Sequence, residues 1–394
     1  MQPSHWPHAD SEQREWVSSF DAPMSRRERL AARGPYVAAV PGPIAHAMPQ
    51  ISHEVLALVD DASRELARFD AEAGDVAAPF ASILLRSESA SSSEIERITS
   101  SAKQLALAEI GASRSANAKL VAANVQAMHA AIDLAGRLDA DSIIAMHRAL
   151  LGDSEPHMVG RWRTEQVWIG GGARSPHSAT FVPPHHDRVP ALMEDLVAFL
   201  QRTDLPVLIT AALAHAQFET IHPFPDGNGR TGRALIHGVL HAGGLVTNMT
   251  IPVSAGLLAR TDEYFGALTA YREAEVEPII ARLAEASFEA VGTGRRLVAD
   301  LREMRGEWVE RVRPRAGSAV EAMLDLVIRQ PVLSVALAAE SLGVSVVSAT
   351  SAIERLEDAG VLERANSGRR NRLWQASEVL AALDDFAAQA RRRP

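Results

Sequence analysis

Between two alanine- and leucine-rich stretches the chain reads HPFPDGNGRTGR over residues 222–233, and no regular secondary structure can pass through that string. Pro223 and Pro225 lack the N–H that a helix interior or a central strand needs. Gly227 and Gly229 let the backbone approach a ligand closely, as residues with a Cβ cannot. An apolar helix must therefore stop at Ile221, turn, and restart after Gly229. Such a turn at a helix N-terminus aims backbone N–H groups and the positive end of the helix dipole at one point, which suits an anion. Arg230 and Arg233 lie three apart on the first turn beyond it and can reach the same anion, because arginine grips phosphate oxygens bidentately. Asp226 is a hard oxygen ligand suited to a Mg²⁺ that already carries phosphates. His222 is the group there able to accept a proton near neutral pH. Anion cradle, metal ligand and base within twelve residues point to phosphoryl or nucleotidyl transfer.

The rest of the chain sets the frame. It has 394 residues, 47% apolar and 23% charged, the mixture of globular proteins with a substantial core and two or three domains. There is no cysteine, which excludes disulfides, thiolate metal sites and cysteine nucleophiles. The N-terminus lacks the apolar core of a signal peptide, and no apolar run reaches the ~20 residues that span a bilayer. A cytoplasmic protein with no membrane segment is the expectation. The net charge is −9, and only two of the 40 basic residues are lysine, as codon bias in a GC-rich genome would produce. Arginine richness is thus no sign of nucleic-acid binding, and steering of an anion must come from local geometry.

Organisation is mostly helical. Residues 1 to about 50 carry scattered prolines and read as an extended arm with short turns. Val55, Leu58, Val59, Ala62, Leu66 and Phe69 form one face of an amphipathic helix. Further helices are expected over 78–86, after the serine run Ser91–Ser93, over 116–138, and over 142–151 behind the cap candidates Asp139 and Asp141. Val167–Ile169 and Thr180–Val182 read as a hairpin around Gly170–Gly172, closed by Pro183 and Pro184. Helices follow at 187–201, 205–220, 230–242 and on to about 312. A linker at 314–317 precedes three short helices and a hairpin, the order of a winged helix-turn-helix.

The string at 222–233 fills every defined position of HxFx(D/E)GNGRxxR and so resembles the Fic family signature. Gly160 and Arg163 ahead of the hairpin, the VPP that follows it, and AHAQFETIHPF also look like the Fic core. The resemblance spans roughly 50–300. It implies a mostly α Fic-type core with one β-hairpin flap, plus a small C-terminal winged-helix domain. The domains would be 1–115, an arm and helical regulatory region; 116–312, the catalytic core; and 315–394, the winged helix. The implied activity of this bacterial-type protein is transfer of AMP from ATP to a protein hydroxyl. His222 would be the base and Asp226 the Mg²⁺ ligand. Gly227, Asn228, Gly229, Arg230 and Arg233 would hold the phosphates, and Phe224 would fix the loop in the core.

Ser92 and Glu96 occupy the defined places of the Fic inhibitory motif (S/T)xxxE(G/N), near 91–97. The resemblance implies that Glu96 pairs with Arg233 and keeps ATP from binding productively. Arg97 departs from the Gly or Asn of the sixth position. Ser93-x-x-Glu96 also fits a capping box at a helix start; beside a complete signature the inhibitory reading is preferred.

The other patterns are weaker. Gly227–Gly232 satisfies G-x-G-x-x-G, but no strand precedes it, and the P-loop Lys-Ser/Thr pair is missing. His185-His186-Asp187 reads as an exposed loop, and Tyr264 and Tyr271 as helix packing. Residues 315–394 contain ten arginines and ten acidic residues. Arg364, Arg369, Arg370 and Arg372 make only the wing basic, a modest supply of phosphate contacts. The expected partners are an unidentified target docked on the flap at 166–182, DNA or a protein on 315–394, and a second copy of the chain. A DNA-binding regulator whose core senses nucleotide, and an enzyme that removes AMP at the same site, stand as alternatives. A γ-phosphate kinase is disfavoured, because that branch alters the GNGR segment kept here.

Overall fold

Helices carry the structure, as the periodicity predicts. The computed structural model describes residues 6–16, 32–73, 77–171, 175–366 and 371–391. In chain order the elements begin with β1 (Ala9–Arg14), β2 (Tyr36–Pro41), α1 (His53–Ala73), α2 (Ala77–Ile95), α3 (Ala102–Glu109), α4 (Ala116–Asp133) and α5 (Ala140–Leu151). Then come α6 (Val189–Leu200), α7 (Val207–Ile221), α8 (Asn228–Ala242), α9 (Val253–Ala259), α10 (Thr261–Arg272) and α11 (Glu277–Val312). The C-terminal elements are α12 (Ala319–Arg329), β3 (Val332–Leu333), α13 (Val335–Leu342), α14 (Val346–Asp358), β4 (Glu363–Arg364), β5 (Trp374–Gln375) and α15 (Ser377–Arg391). Val59, Ala62, Leu66 and Phe69 are the buried face of α1. Asp139 caps α5, its carboxylate accepting from Ser142 N at 2.9 Å. Among the described residues no single helix is long and apolar enough to cross a membrane.

Two units group these elements, one of residues 1–61, 127–245 and 262–284, the other of 62–126, 246–261 and 285–394. In the first, α7 is buried from Leu208 to Ile221 and packs against α6 and α8, while α5 packs against α8. Gly243 meets Val207 and Gly238 meets Leu138, so α8 lies close on its neighbours. The described parts of the arm hold more regular structure than its composition suggests. β1 and β2 pair antiparallel, with Ala9 opposite Pro41 and Arg14 opposite Tyr36. Asp195 of α6 accepts from Ile44 N and Ala45 N at 2.6 and 3.1 Å, and Trp6 packs edge-on against Phe199. Among the described residues, the hairpin expected at 167–182 is held by one bridge, Ile169 with Phe181. Gly170 and Gly171 both take left-handed φ there, and Val182 spends its carbonyl on Ala39 N of β2 at 2.9 Å.

In the second unit α2 runs straight through the serines expected to break it. Ser87 Oγ and Ser93 Oγ donate to the carbonyls of Ile83 and Ser89 one turn back, which lets serine sit inside a helix. Ser91–Ser93 are buried, and Ser93 lies in the last turn of α2, so it caps no helix start. The buried Glu88 carboxylate accepts from Ser254 N and Oγ at 2.8 and 2.5 Å at the start of α9. Asp70 likewise accepts the backbone N–H groups of Thr247, Asn248 and Met249. The C-terminal residues have the helix–helix–helix–hairpin order expected, with β3 completing a sheet ordered β3-β5-β4 and α15 appended. Ser318, Ser334 and Ser345 cap α12, α13 and α14, and Gly343 ends α13 with a φ of 63°.

The end of α2 accounts for the sixth position of the motif. Arg97 N donates to Glu94 O at 2.7 Å and Ile98 N to Ser93 O at 3.0 Å, which turns the chain through a left-handed Arg97 with φ 63°. Glycine and asparagine take that conformation with little strain, and arginine does not. Arg97 is exposed. Arg97→Gly should therefore raise stability by roughly 0.5–1 kcal/mol despite the greater freedom of unfolded glycine. Chemical denaturation checks this, and an unchanged or lower midpoint would contradict it.

Candidate active site

The loop between α7 and α8 is built around His222. Pro223 prevents the helix from continuing, and His222 turns left-handed at φ 53° and ψ 62°, its N–H still bonded to Phe218 O at 2.8 Å. The imidazole is mostly covered, its side chain 17% exposed. Nδ1 lies 3.3 Å from Glu219 O and 3.7 Å from the Glu219 carboxylate. With Nδ1 as the donor, the ring carries its lone pair on Nε2, the arrangement a general base needs.

Asn228 closes the loop. Its Oδ1 accepts from Phe224 N and its Nδ2 donates to Phe224 O, both at 2.9 Å. The sequence grouped Asn228 with the phosphate-holding residues; the structure shows both ends of its amide holding backbone. Phe224 is fully buried and stacks face to face on His147, 3.7 Å between centroids, with Trp162 against it at 5.2 Å. His147 Nε2 bonds Asp226 O at 3.0 Å, so the same imidazole holds the loop twice. Gly227 has a φ of 73°, and a Cβ there would lie 2.9 Å from Leu150 of α5. Only glycine fits both constraints.

Arg163 supports this loop from outside the signature. Its Nε donates to His222 O at 2.8 Å and its backbone N to Pro223 O at 2.9 Å. Burial pulls the guanidinium down to about 10, still a cation at neutral pH.

Arg230 and Arg233, each 2% exposed, sit on the first and second turns of α8. Arg230 lies 3.7 Å from the Asp226 carboxylate, which is 64% exposed and so presented outward. Among the described residues no cluster of three His, Asp or Glu could hold a metal unaided. One outward carboxylate fits a Mg²⁺ that keeps its waters and its nucleotide oxygens, and not a cation caged by protein alone. His215 of α7 is buried beside these turns, its Nε2 2.7 Å from Tyr264 Oη. Burial first, then the charge of Arg233, pull its imidazole down to about 3.

Ser92 is buried in α2 and Glu96 follows its last residue, with Glu96 N bonded to Ser93 O at 3.1 Å. His185 pairs with Asp187 at 2.9 Å, and Asp187 with Arg14, so that loop is tied to β1 by surface charges. Arg364 is engaged by Glu357 at 3.2 Å and by the Trp374 ring. Arg372 is exposed. Arg369 and Arg370 lie outside the described residues. Sequence reasoning missed His147, whose place on α5 carries no signal, and it gave Arg163 no role. A GxxR preceding the flap was the visible hint for Arg163.

Comparison with known proteins agrees with this geometry. Residues 137–240 match the Fic/DOC family, and residues 56–133 match the Fic/DOC family N-terminal segment. The protein adenylyltransferase fic-1 of Caenorhabditis elegans is 31% identical over 150 residues, 37% of this chain and 27% of that protein. The protein adenylyltransferase Fic of Nematostella vectensis is 33% identical over 156 residues, 38% of this chain and 33% of its own length. The match thus spans a third or less of these curated relatives. A crystal structure of a Fic family protein from Desulfovibrio desulfuricans superposes with a TM-score of 0.53 at 23% identity. It covers 84% of this chain and 98% of that one, a likeness of fold.

The buried imidazoles make a pH prediction. Burial pulls His147 down from 6.5 to about 4, and the Asp226 carbonyl opposes that only in part. Between those values the unfolded chain binds more protons than the folded one, so stability falls as the pH drops through the window. His147 alone should cost of the order of 3 kcal/mol at the acid end. Melting temperatures recorded from pH 7 to pH 4 should show the fall, with a shallower slope in His147→Gln. Parallel slopes in the two proteins would remove His147 as the cause.

Proposed function

We propose that this chain, which belongs to the Fic/DOC family through residues 56–133 and 137–240, transfers AMP from ATP to a hydroxyl side chain of a target protein. The observation that carries the reading is the left-handed His222, its Nδ1 against Glu219 O, on a loop that leads straight into the arginine-bearing start of α8. His222 Nε2 takes the proton of the target hydroxyl, and the oxygen attacks the α-phosphorus. The bond from that phosphorus to the bridging oxygen breaks and pyrophosphate leaves. Arg230, Arg233 and the first amides of α8 meet the charge that develops, and such fixed electrostatic stabilisation supplies most of the rate in reactions of this kind. Asp226 would hold Mg²⁺, which when bound neutralises phosphate charge.

The flap at 166–182 would receive the target as an added strand. Its Ile169 is 36% exposed, while Phe181 is covered by Arg272 at 3.6 Å. Glu96 would act as a brake by pairing with Arg233. The left-handed turn at Arg97 supports that register, because it sits where the motif calls for glycine or asparagine. On the C-terminal residues, the start of α14 exposes Val346 and Val347, 61% and 79%. That apolar face favours a protein partner over a phosphate backbone.

Labelling with ATP carrying its radiolabel at the α- or the γ-phosphate tests the reading. Label from the α-phosphate alone is expected, increased in Glu96→Gly and lost in His222→Ala. Removing a positioned base should cost about 10²–10⁴-fold. Label from the γ-phosphate would make the protein a kinase. Transfer that persists in a folded His222→Ala protein would discard the assigned base.

A further inference from the structure

Arg163 carries more than the closing of one loop. Its side chain is buried, 3% exposed, and donates to four backbone carbonyls. Two of them, His222 O at 2.8 Å and Ile221 O at 3.4 Å, end α7. The other two, Glu165 O at 2.9 Å and Pro184 O at 2.5 Å, are the two roots of the flap. A fifth bond, from its own backbone N to Pro223 O, completes the set.

A buried cation is costly, and carbonyl dipoles repay the cost only when many converge with good geometry. Here they converge from two segments that have different tasks, one presenting the base and one receiving the substrate. The planar guanidinium fixes the spacing of all four oxygens at once, which a lysine ammonium cannot do. Its positive charge also sits at the C-terminal end of α7, where the helix dipole favours it. The flap root is extended by Gln166, whose Nε2 donates to Val167 O and Pro183 O at 2.8 and 3.0 Å, while its Oε1 accepts from Tyr36 Oη at 3.0 Å. The flap root is thus stitched twice, and the inner stitch runs through Arg163 to His222.

We infer that Arg163 is a positioning residue that couples seating of the target on the flap to the backbone conformation of His222. The inference rests on the adenylyl-transfer reading above. When a target strand draws the flap arms into register, the carbonyls of Glu165 and Pro184 set the guanidinium, and the guanidinium holds the left-handed base. The nucleotide cradle on α8 is outside this linkage.

The test compares Arg163→Lys with its parent, both in the Glu96→Gly protein. The expected result is a kcat lower by about 10- to 100-fold, the size of effect that small misplacements produce, with the KM for ATP nearly unchanged. Hydrogen exchange should quicken together at His222, Phe224 and Ile169, whose amides are bonded to Phe218 O, Asn228 Oδ1 and Phe181 O. Equal losses in kcat and ATP affinity, or faster exchange in one segment alone, would overturn the linkage. If the parent itself transfers no AMP, the functional reading fails, and the paired exchange rates still decide the linkage. Should Arg163→Lys not fold, Gln166→Ala loosens the root from the flap side. Exchange must then quicken at His222 and Phe224 as well as Ile169, and an effect confined to the flap rejects the inference.

Discussion

The Asn228 amide, bonded at both ends to the backbone of Phe224, is the constraint on which the site depends. It turns residues 224–228 into a closed ring at the start of α8, and a closed ring can be held by few further contacts. The Phe224 side chain then becomes a peg seated between His147 and Trp162. The residues proposed to act all attach to that ring: His222 precedes it, Asp226 projects from it, and Arg230 and Arg233 follow it on the helix. Losing the amide would leave a buried N–H and a buried C=O without partners, worth about 1–3 kcal/mol each.

Much of this was legible because the signals were local. A proline after Ile221 ends a helix whatever surrounds it, and Asp139 caps a helix through a bond to the residue three positions on. What escaped was long-range. β1, with the sequence ADSEQR, has no strand propensity and becomes a strand only because β2 lies beside it. The serine run in α2 reads as a break, and it stays helical because each hydroxyl that would compete with the backbone is bonded within the helix or buried. His147 stands 75 residues before His222, and only the fold makes it a stacking partner of the loop.

The two halves of the signature are held by different physics. At the His222 side the holding groups are directional and polar: Glu219 O, Arg163 and the turn at Pro223. Toward α8, beyond the Asn228 amide, they are steric, with Gly227 wedged at α5 and Gly232 against Phe218 and His215, where an added Cβ would lie 2.9 Å from Leu150 and from Phe218 respectively. The proposed base and the proposed phosphate-binding arginines are thus held in place by different kinds of contact.

Polarity of the same kind marks α2 in the second unit. Glu88 is fully buried, and Arg86 spends its guanidinium on Glu109 at 2.7 Å, on Gln330 at 2.8 Å and on the carbonyl of Arg329. Glu94, two residues before Glu96, is paired with Arg391 of α15. Helices in apolar contact can slide by a turn at modest cost, whereas buried charges matched to named partners tolerate no change of register. The polar groups of α2 therefore contribute less to overall stability than an apolar face would, and more to fixing where its final turn ends. For a residue whose proposed effect depends on one carboxylate, that is the property that matters: Glu96 follows a helix whose rotation and length are set by Arg86, Glu88 and Glu94.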